Sequence, residues 1–260
     1  MIRTAKPAVV VFSGGQDSTT CLYWALAHGY DPVALTINYG QRHAREIEAA
    51  RVIAKMAKVP HEVIEVGSVL VGSSPLVSSA GLEQYKDHAS LPGGLEKTFV
   101  PMRNQFFLTL AANRAHALGA DTIITGVCEE DYGGYPDCRR VFIDALEKAC
   151  SLGTFNDETG FPDGLKIVTP LMNLTKKATV ELAEDLAGCY NALAYSHTAY
   201  DGQYPPVGHD HANLLRAKGF EEAMVPDPLV LRAHREKLMP LPLTENYSPE
   251  LVEAYSLSLK

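Results

Sequence analysis

Cysteine is scarce in this 260-residue sequence: Cys21, Cys128, Cys138, Cys150 and Cys189 are all there are, and none forms a CxxC pair. Their odd number and scattered placement exclude a disulfide framework and predict reduced thiols. Positive charge is also short. The 23 Lys and Arg face 31 Asp and Glu, for a formal net charge of −8 and a pI of about 5.6. That balance excludes a broad basic face for duplex nucleic acid, which would have to neutralise many phosphates, but it leaves room for local sites that bind small phosphates. No apolar run approaches membrane length, and the run in MIRTAKPAVVVFSGG is too short for the core of a secretory signal. The expectation is a soluble cytoplasmic protein with neither a membrane nor a nucleic-acid partner. Internal repeats and low-complexity segments are missing as well. What is present is 46% apolar residues, enough to build one large core or a core with a smaller appendage.

The apolar run AVVVF (8–12) ends in Ser-Gly-Gly and leads into helical periodicity that closes at Gly29. Strand signals return at 31–40, 61–66, 121–127 and 165–171, separated by helix-like runs at 44–58, 104–119 and 175–188. A further helix follows the turn in YGGYPDCRR. Strands alternating with helices predict right-handed crossovers and a parallel sheet, an α/β fold. Residues 67–98 read as a long connection of the kind used for lids and binding loops. We expect a nucleotide-binding α/β domain over 1–188 and a small helical and irregular C-terminal subdomain over 189–260. The last thirty residues read equally well as an arm for a partner or as a tail docked on its own domain.

SGGQDS (13–18) falls between the first strand and the first helix. Gly14 and Gly15 allow backbone N–H groups close to an anion, and the helix N-terminus adds a favourable dipole. Ser13 and Ser18 can donate hydroxyl hydrogen bonds, while Asp17 can cap the helix or help hold magnesium. The string is neither a GxxxxGK[ST] loop nor a GxGxxG turn. It resembles the PP-loop of ATP pyrophosphatases, which cleave ATP between the α and β phosphates and share a Rossmann-like adenine nucleotide alpha hydrolase fold. GMP synthetase, NAD synthetase and tRNA thiolation enzymes belong to that group.

YGQRH (39–43), VPMRNQFFL (100–108), TGVCEEDYGGYPDCR (125–139) and TPLMNLTKKA (169–178) narrow the likeness. With SGGQDSTT they resemble the QueC family of 7-cyano-7-deazaguanine synthases, over roughly Val9 to Pro228. The resemblance implies Mg-ATP as cofactor and 7-carboxy-7-deazaguanine as the acid that is adenylated. Ammonia then forms the amide, and a second ATP activates its oxygen for expulsion, leaving a nitrile. It also implies a homodimer. On this reading Arg42 and His43 lie beside the adenosine, and Arg103 and Asn104 position a carboxylate or phosphate. Asp131, Tyr132, Tyr135, Asp137 and Arg139 gather where the deazaguanine binds, with Asp131 or Asp137 accepting its N1–H and exocyclic amine and a tyrosine covering its ring. Cys138 is a packing or base-edge residue. Lys176 neutralises charge developing on the phosphates, and Lys177 is solvated.

The family also carries a structural zinc site near its C-terminal end, and there the sequence departs. Tyr200, Gly202, Pro205, Pro206, Gly208, Leu215 and Arg216 keep the scaffold, but the ligand positions hold Ala199, Val207, Asp210 and Asn213. Those side chains make no tetrahedral zinc site, so zinc is expected to be absent. His197, His209, Asp210 and His211 then suggest either a substitute metal site or a segment released for packing or for a new ligand, with Asp210 meeting a cationic amine. Loss of the cysteines beside intact ATP motifs favours transfer of the acyl group to a peptide or protein N-terminus, as in QueC-like members of CBASS-type antiphage clusters. Nitrile synthesis with ammonia is the alternative, and a non-catalytic nucleotide sensor is a third.

Overall fold

A computed structural model describes residues 5–40, 45–72, 74–77, 83–87, 90, 95, 97–129, 134–197 and 203–256. Five parallel strands run in the order β3-β2-β1-β4-β5: β1 is Lys6–Val11, β2 Tyr30–Asn38, β3 His61–Glu65, β4 Thr122–Ile124 and β5 Lys166–Val168. Helices α1 (Gln16–Ala27), α2 (Arg45–Ala57), α3 (Arg103–Ala117) and α4 (Arg140–Gly153) make the crossovers. The expected α/β fold with a parallel sheet is what forms. In β1 the alternation of a strand sorts residues onto two faces. Ala8, Val10 and Phe12 pack with α1 and α2, while Val9 packs with Leu108, Ala111 and Ile143 from α3 and α4.

The chain leaves β1 toward β2 and β3, then returns to add β4 and β5 on β1's other side. Their carboxyl ends diverge between β1 and β4, where open α/β sheets form their binding crevice. This geometry also shortens the later strands relative to the runs at 121–127 and 165–171. Beyond Ile124 the chain passes beneath α1, and a Cβ added to Gly126 would lie 3.1 Å from the Asp17 carbonyl carbon. A strand continuing straight past that point would collide with the start of α1.

Helices α5 (Lys176–Asp185), α6 (Cys189–Leu193), α7 (His211–Glu222), α8 (Pro228–Arg235) and α9 (Pro249–Ser256) complete the chain. The apolar layer over α1 continues without a break through Leu186, Cys189, Leu193, Phe220 and Val225. The tail docks on its own chain, one of the two arrangements expected for it. Asn246 is 1% exposed and donates to the Val225 carbonyl at 3.0 Å, and the Tyr255 ring lies 5.2 Å from Tyr190. In the long connection, Tyr85 N–H donates to the His209 carbonyl and His209 N–H to Gln84 Oε1, both at 2.9 Å. Those bonds fasten it to the segment that enters α7. All five cysteines are free thiols, as expected.

Candidate active site

The loop at the end of β1 is shaped by what packs behind it. Gly14 has φ +79°, and a Cβ there would lie 2.6 Å from the backbone nitrogen of Ala50 in α2. Only glycine lets the loop settle against that helix. Gly14→Ala should therefore cost about 2 kcal/mol at the loop, read by calorimetry as weaker pyrophosphate binding with little change in the far-UV spectrum. Gly15 caps α1 without a side-chain hydrogen bond, so the first N–H groups of α1 keep their donors for an anion. The Ser13 and Ser18 hydroxyl oxygens stand 3.1 Å apart. Asp17 is held by the Lys176 ammonium, Nζ to Oδ2 at 2.8 Å.

Two adjoining lobes open from this loop. The first, about 370 Å³, has Ser13, Gly15, Gln16 and Asp17 on one wall and His211, Leu215 and Arg216 of α7 on the other. Helix α7 comes this close because Gly219 faces α5, where an added Cβ would lie 3.0 Å from Lys176 Cβ. His197 also lines this lobe, and its backbone N–H donates to the Gly14 carbonyl at 3.0 Å. The second lobe, about 340 Å³, runs beneath the ends of β1, β2 and β4, past Thr36, Tyr39, Phe107 and Thr125. Ser13, Asp17, Glu46, Arg103 and Tyr135 belong to both lobes.

Arg103 starts α3 from a left-handed Met102, φ 67°, and hydrogen-bonds the buried Tyr39 hydroxyl, whose acidity is weakened by burial. Burial also pushes the Glu46 carboxyl up to about 7, with the Arg103 charge opposing the rise. Asn104 ties α3 to the loop after β4: its N–H donates to Asp137 Oδ2 at 3.4 Å and its side-chain amide to Cys138 Sγ at 3.3 Å. Asp137 is 8% exposed, its Oδ1 has no hydrogen-bond partner among the described residues, and burial raises its pKa. Tyr135, Cys138 and Arg139 line the first lobe, whereas Asp137 lines neither. Arg42, His43, Asp131, Tyr132 and Ala199 lie outside the described residues.

Asp210, the residue expected to meet an amine, is turned into the fold. It is 1% exposed and caps α7, accepting from the Asn213 backbone N–H at 2.9 Å and from its side-chain amide at 3.0 Å. The helix takes that carboxylate because its first N–H groups need an acceptor. The same contacts answer whether zinc fits. Asp210 and Asn213 are turned on each other, and Val207, 53% exposed, has no donor atom, so these positions do not suit a tetrahedral metal. Among the described residues no cluster of three His, Cys, Asp or Glu side chains is arranged to hold an ion.

Glu46 was not among the expected site residues, although its signal is in the sequence. It shares a helical face with Ala50 and Ile53, both fully buried, a spacing that turns a carboxylate inward. His211 and Arg216 are seen at the cleft only once α7 is folded against α5.

The family model described as Queuosine biosynthesis protein QueC matches residues 7–224. A protein of Gloeobacter violaceus named 7-cyano-7-deazaguanine synthase is 50% identical over 228 residues, covering 86% of this chain and 95% of the relative. One of the same name from Chromobacterium violaceum is 48% identical over 236 residues, 89% and 96% of the two chains. The solved structure of NMN synthetase from Francisella tularensis matches at a TM-score of 0.44 and 15% identity, over 98% of this chain and 84% of that one.

Proposed function

Because the chain belongs to the QueC family, we propose that it is an ATP-dependent synthase that turns 7-carboxy-7-deazaguanine and ammonia into 7-cyano-7-deazaguanine. The observation that carries this reading is the pair of lobes meeting at one wall, a phosphate loop opening the first and a partly apolar recess forming the second. ATP spans the join, its phosphates on the Ser13–Ser18 loop and its adenosine beneath the ends of β1 and β2. The acid lies toward Tyr135 and Arg139 with Arg103 against its carboxylate, where a two-pronged guanidinium matches two oxygens. Lys176 meets charge that develops as pyrophosphate departs. Asp17 would help hold a magnesium ion, which would add to the neutralisation of the phosphates.

AMP is the leaving group twice on this reading, first from the acid's carbonyl carbon and then from the amide's. Conjugation to a peptide amine has less support than nitrile formation. The acceptor imagined for the amine, Asp210, is spent on α7, and the full-length relatives carry the synthase name.

The test is incubation of purified protein with ATP, magnesium and 7-carboxy-7-deazaguanine, with ammonium as the only added amine, followed by mass spectrometry. Nitrile is expected. AMP with accumulated adenylate or amide but no nitrile would overturn the proposed product and direct the search to larger amines. Absence of any acid-dependent AMP release would leave the sensor reading.

A further inference from the structure

Three carboxylates line the cleft among the described residues: Asp17, Glu46 and Glu129. Asp17 is engaged by Lys176, and Glu129 accepts from the Arg140 backbone N–H at 2.5 Å. No hydrogen bond or ion pair within the described chain holds the Glu46 carboxylate, which lies in the wall common to both lobes. An acid confined beside a guanidinium, with no hydrogen-bond partner among the described residues, is placed to exchange protons with whatever occupies the junction.

We infer that Glu46 is the general base of the nitrogen-transfer half of the reaction, taking N–H protons from the substrate nitrogen at the junction of the two lobes. This rests on the synthase reading above. As ammonia attacks the acyl adenylate, the C–N bond forms, the bond from carbon to AMP breaks, and the surplus N–H proton passes to the Glu46 carboxylate and on to water. When the amide oxygen attacks the α phosphorus of a second ATP, the O–P bond forms, pyrophosphate leaves, and one amide proton takes the same route. Loss of AMP from that imidate, with the last N–H proton, closes the C≡N bond. Adenylation of the acid itself removes no proton from nitrogen, so it makes no such demand on Glu46.

Arg103 and Tyr39 interact with Glu46, and the other charged or titratable groups it shares the first lobe with include Asp17, Lys176, His197 and His211. Burial lifts the Glu46 carboxyl to about 7 against the pull of Arg103, so the base form fills in as pH rises through neutrality. Two rates separate its role from mere shaping of the cleft: acid-dependent ATP–pyrophosphate exchange, and amide plus nitrile formation with total ammonium adjusted at each pH to hold free ammonia constant. In the unaltered protein the second rate should climb with pH and level near pH 7. In Glu46→Gln it should fall about 100-fold and lose that break, while exchange falls far less. Glu46→Asp should keep a break at reduced rate. A break retained in Glu46→Gln would assign it to a histidine and overturn the proposal. Equal loss of both rates would also overturn it, making Glu46 a positioning residue for Arg103. Absence of exchange in the unaltered protein would show instead that the synthase reading has failed, and the assignment would fall with it.

Discussion

Lys176→Met should lower the rate of AMP release on the order of 1,000-fold while leaving the fold in place. The ammonium sits on the first turn of α5, where Thr175 caps the helix by accepting from the Ala178 N–H at 3.2 Å, and it reaches the first turn of α1 at Asp17. The side chains of Lys176 and Asp17 are 16% and 28% exposed, shielded enough for charge to count yet open to the cleft. A cation fixed there before ATP arrives needs no reorganisation when the bond between the α and β phosphates breaks, so its contribution falls on the transition state more than on binding. The loss should therefore appear in kcat with a small change in KM. Met keeps the length of the stem that packs opposite Gly219, which separates the charge from the packing. Loss of a pair shielded to this degree leaves Asp17 without its counter-charge and costs about 1–3 kcal/mol of stability, so the melting midpoint should drop by a few degrees while the protein stays folded. Turnover within about tenfold of the parent would remove Lys176 from the phosphate chemistry.

The first half of the fold was legible because each signal was local. The run at 8–12 reads as a buried strand, and Gly14 and Gly15 mark the turn, where the φ of +79° at Gly14 suits no β-branched residue. The C-terminal third, expected to be helical and irregular, was less legible, since two of its prolines are helix starts. Pro228 and Pro249 open α8 and α9, where the missing N–H costs nothing. In α7 the apolar pattern is blurred because the helix is covered on two sides. Its buried residues include His211, Asn213 and Arg216 as well as Leu215 and Phe220. The α5–α7 approach depends on Gly219 opposite Lys176, 43 positions away in sequence, and no periodicity encodes such a pairing. The site followed the same division. The loop residues and Arg103 were readable from motifs, whereas the helical spacing of Glu46 marks it as inward-facing without saying that this face of α2 meets the cleft.

Arg216→Met should be the most damaging single change to stability, at about 3–5 kcal/mol. Arg216 and Asp227 are 3% and 4% exposed at their side chains and meet in a two-pronged pair, Nε to Oδ2 at 2.6 Å and Nη2 to Oδ1 at 2.8 Å. The remaining guanidinium donors reach Ser196 Oγ at 2.7 Å and the Leu193 carbonyl at 3.2 Å. Asp227 in turn caps α8 through the Leu229 N–H at 2.9 Å, and its own N–H donates to the Tyr247 hydroxyl at 3.2 Å. One ion pair thus joins α6, α7, α8 and the tail. Removing the arginine leaves a carboxylate in a space closed to water, and that uncompensated charge sets the size of the loss. For a chain of this length the midpoint should fall by about 10 °C, and ATP should bind more weakly because Arg216 also lines the first lobe. Asp227→Asn, which strands the guanidinium while keeping an acceptor for the helix, should lose a similar amount. If this pair and the Asp210 cap hold the turn without a metal, a chelator should leave the midpoint of the unaltered protein where it was. A drop on chelation, or a loss under about 1 kcal/mol in both variants, would mean that something other than these side chains secures the wall of the cleft.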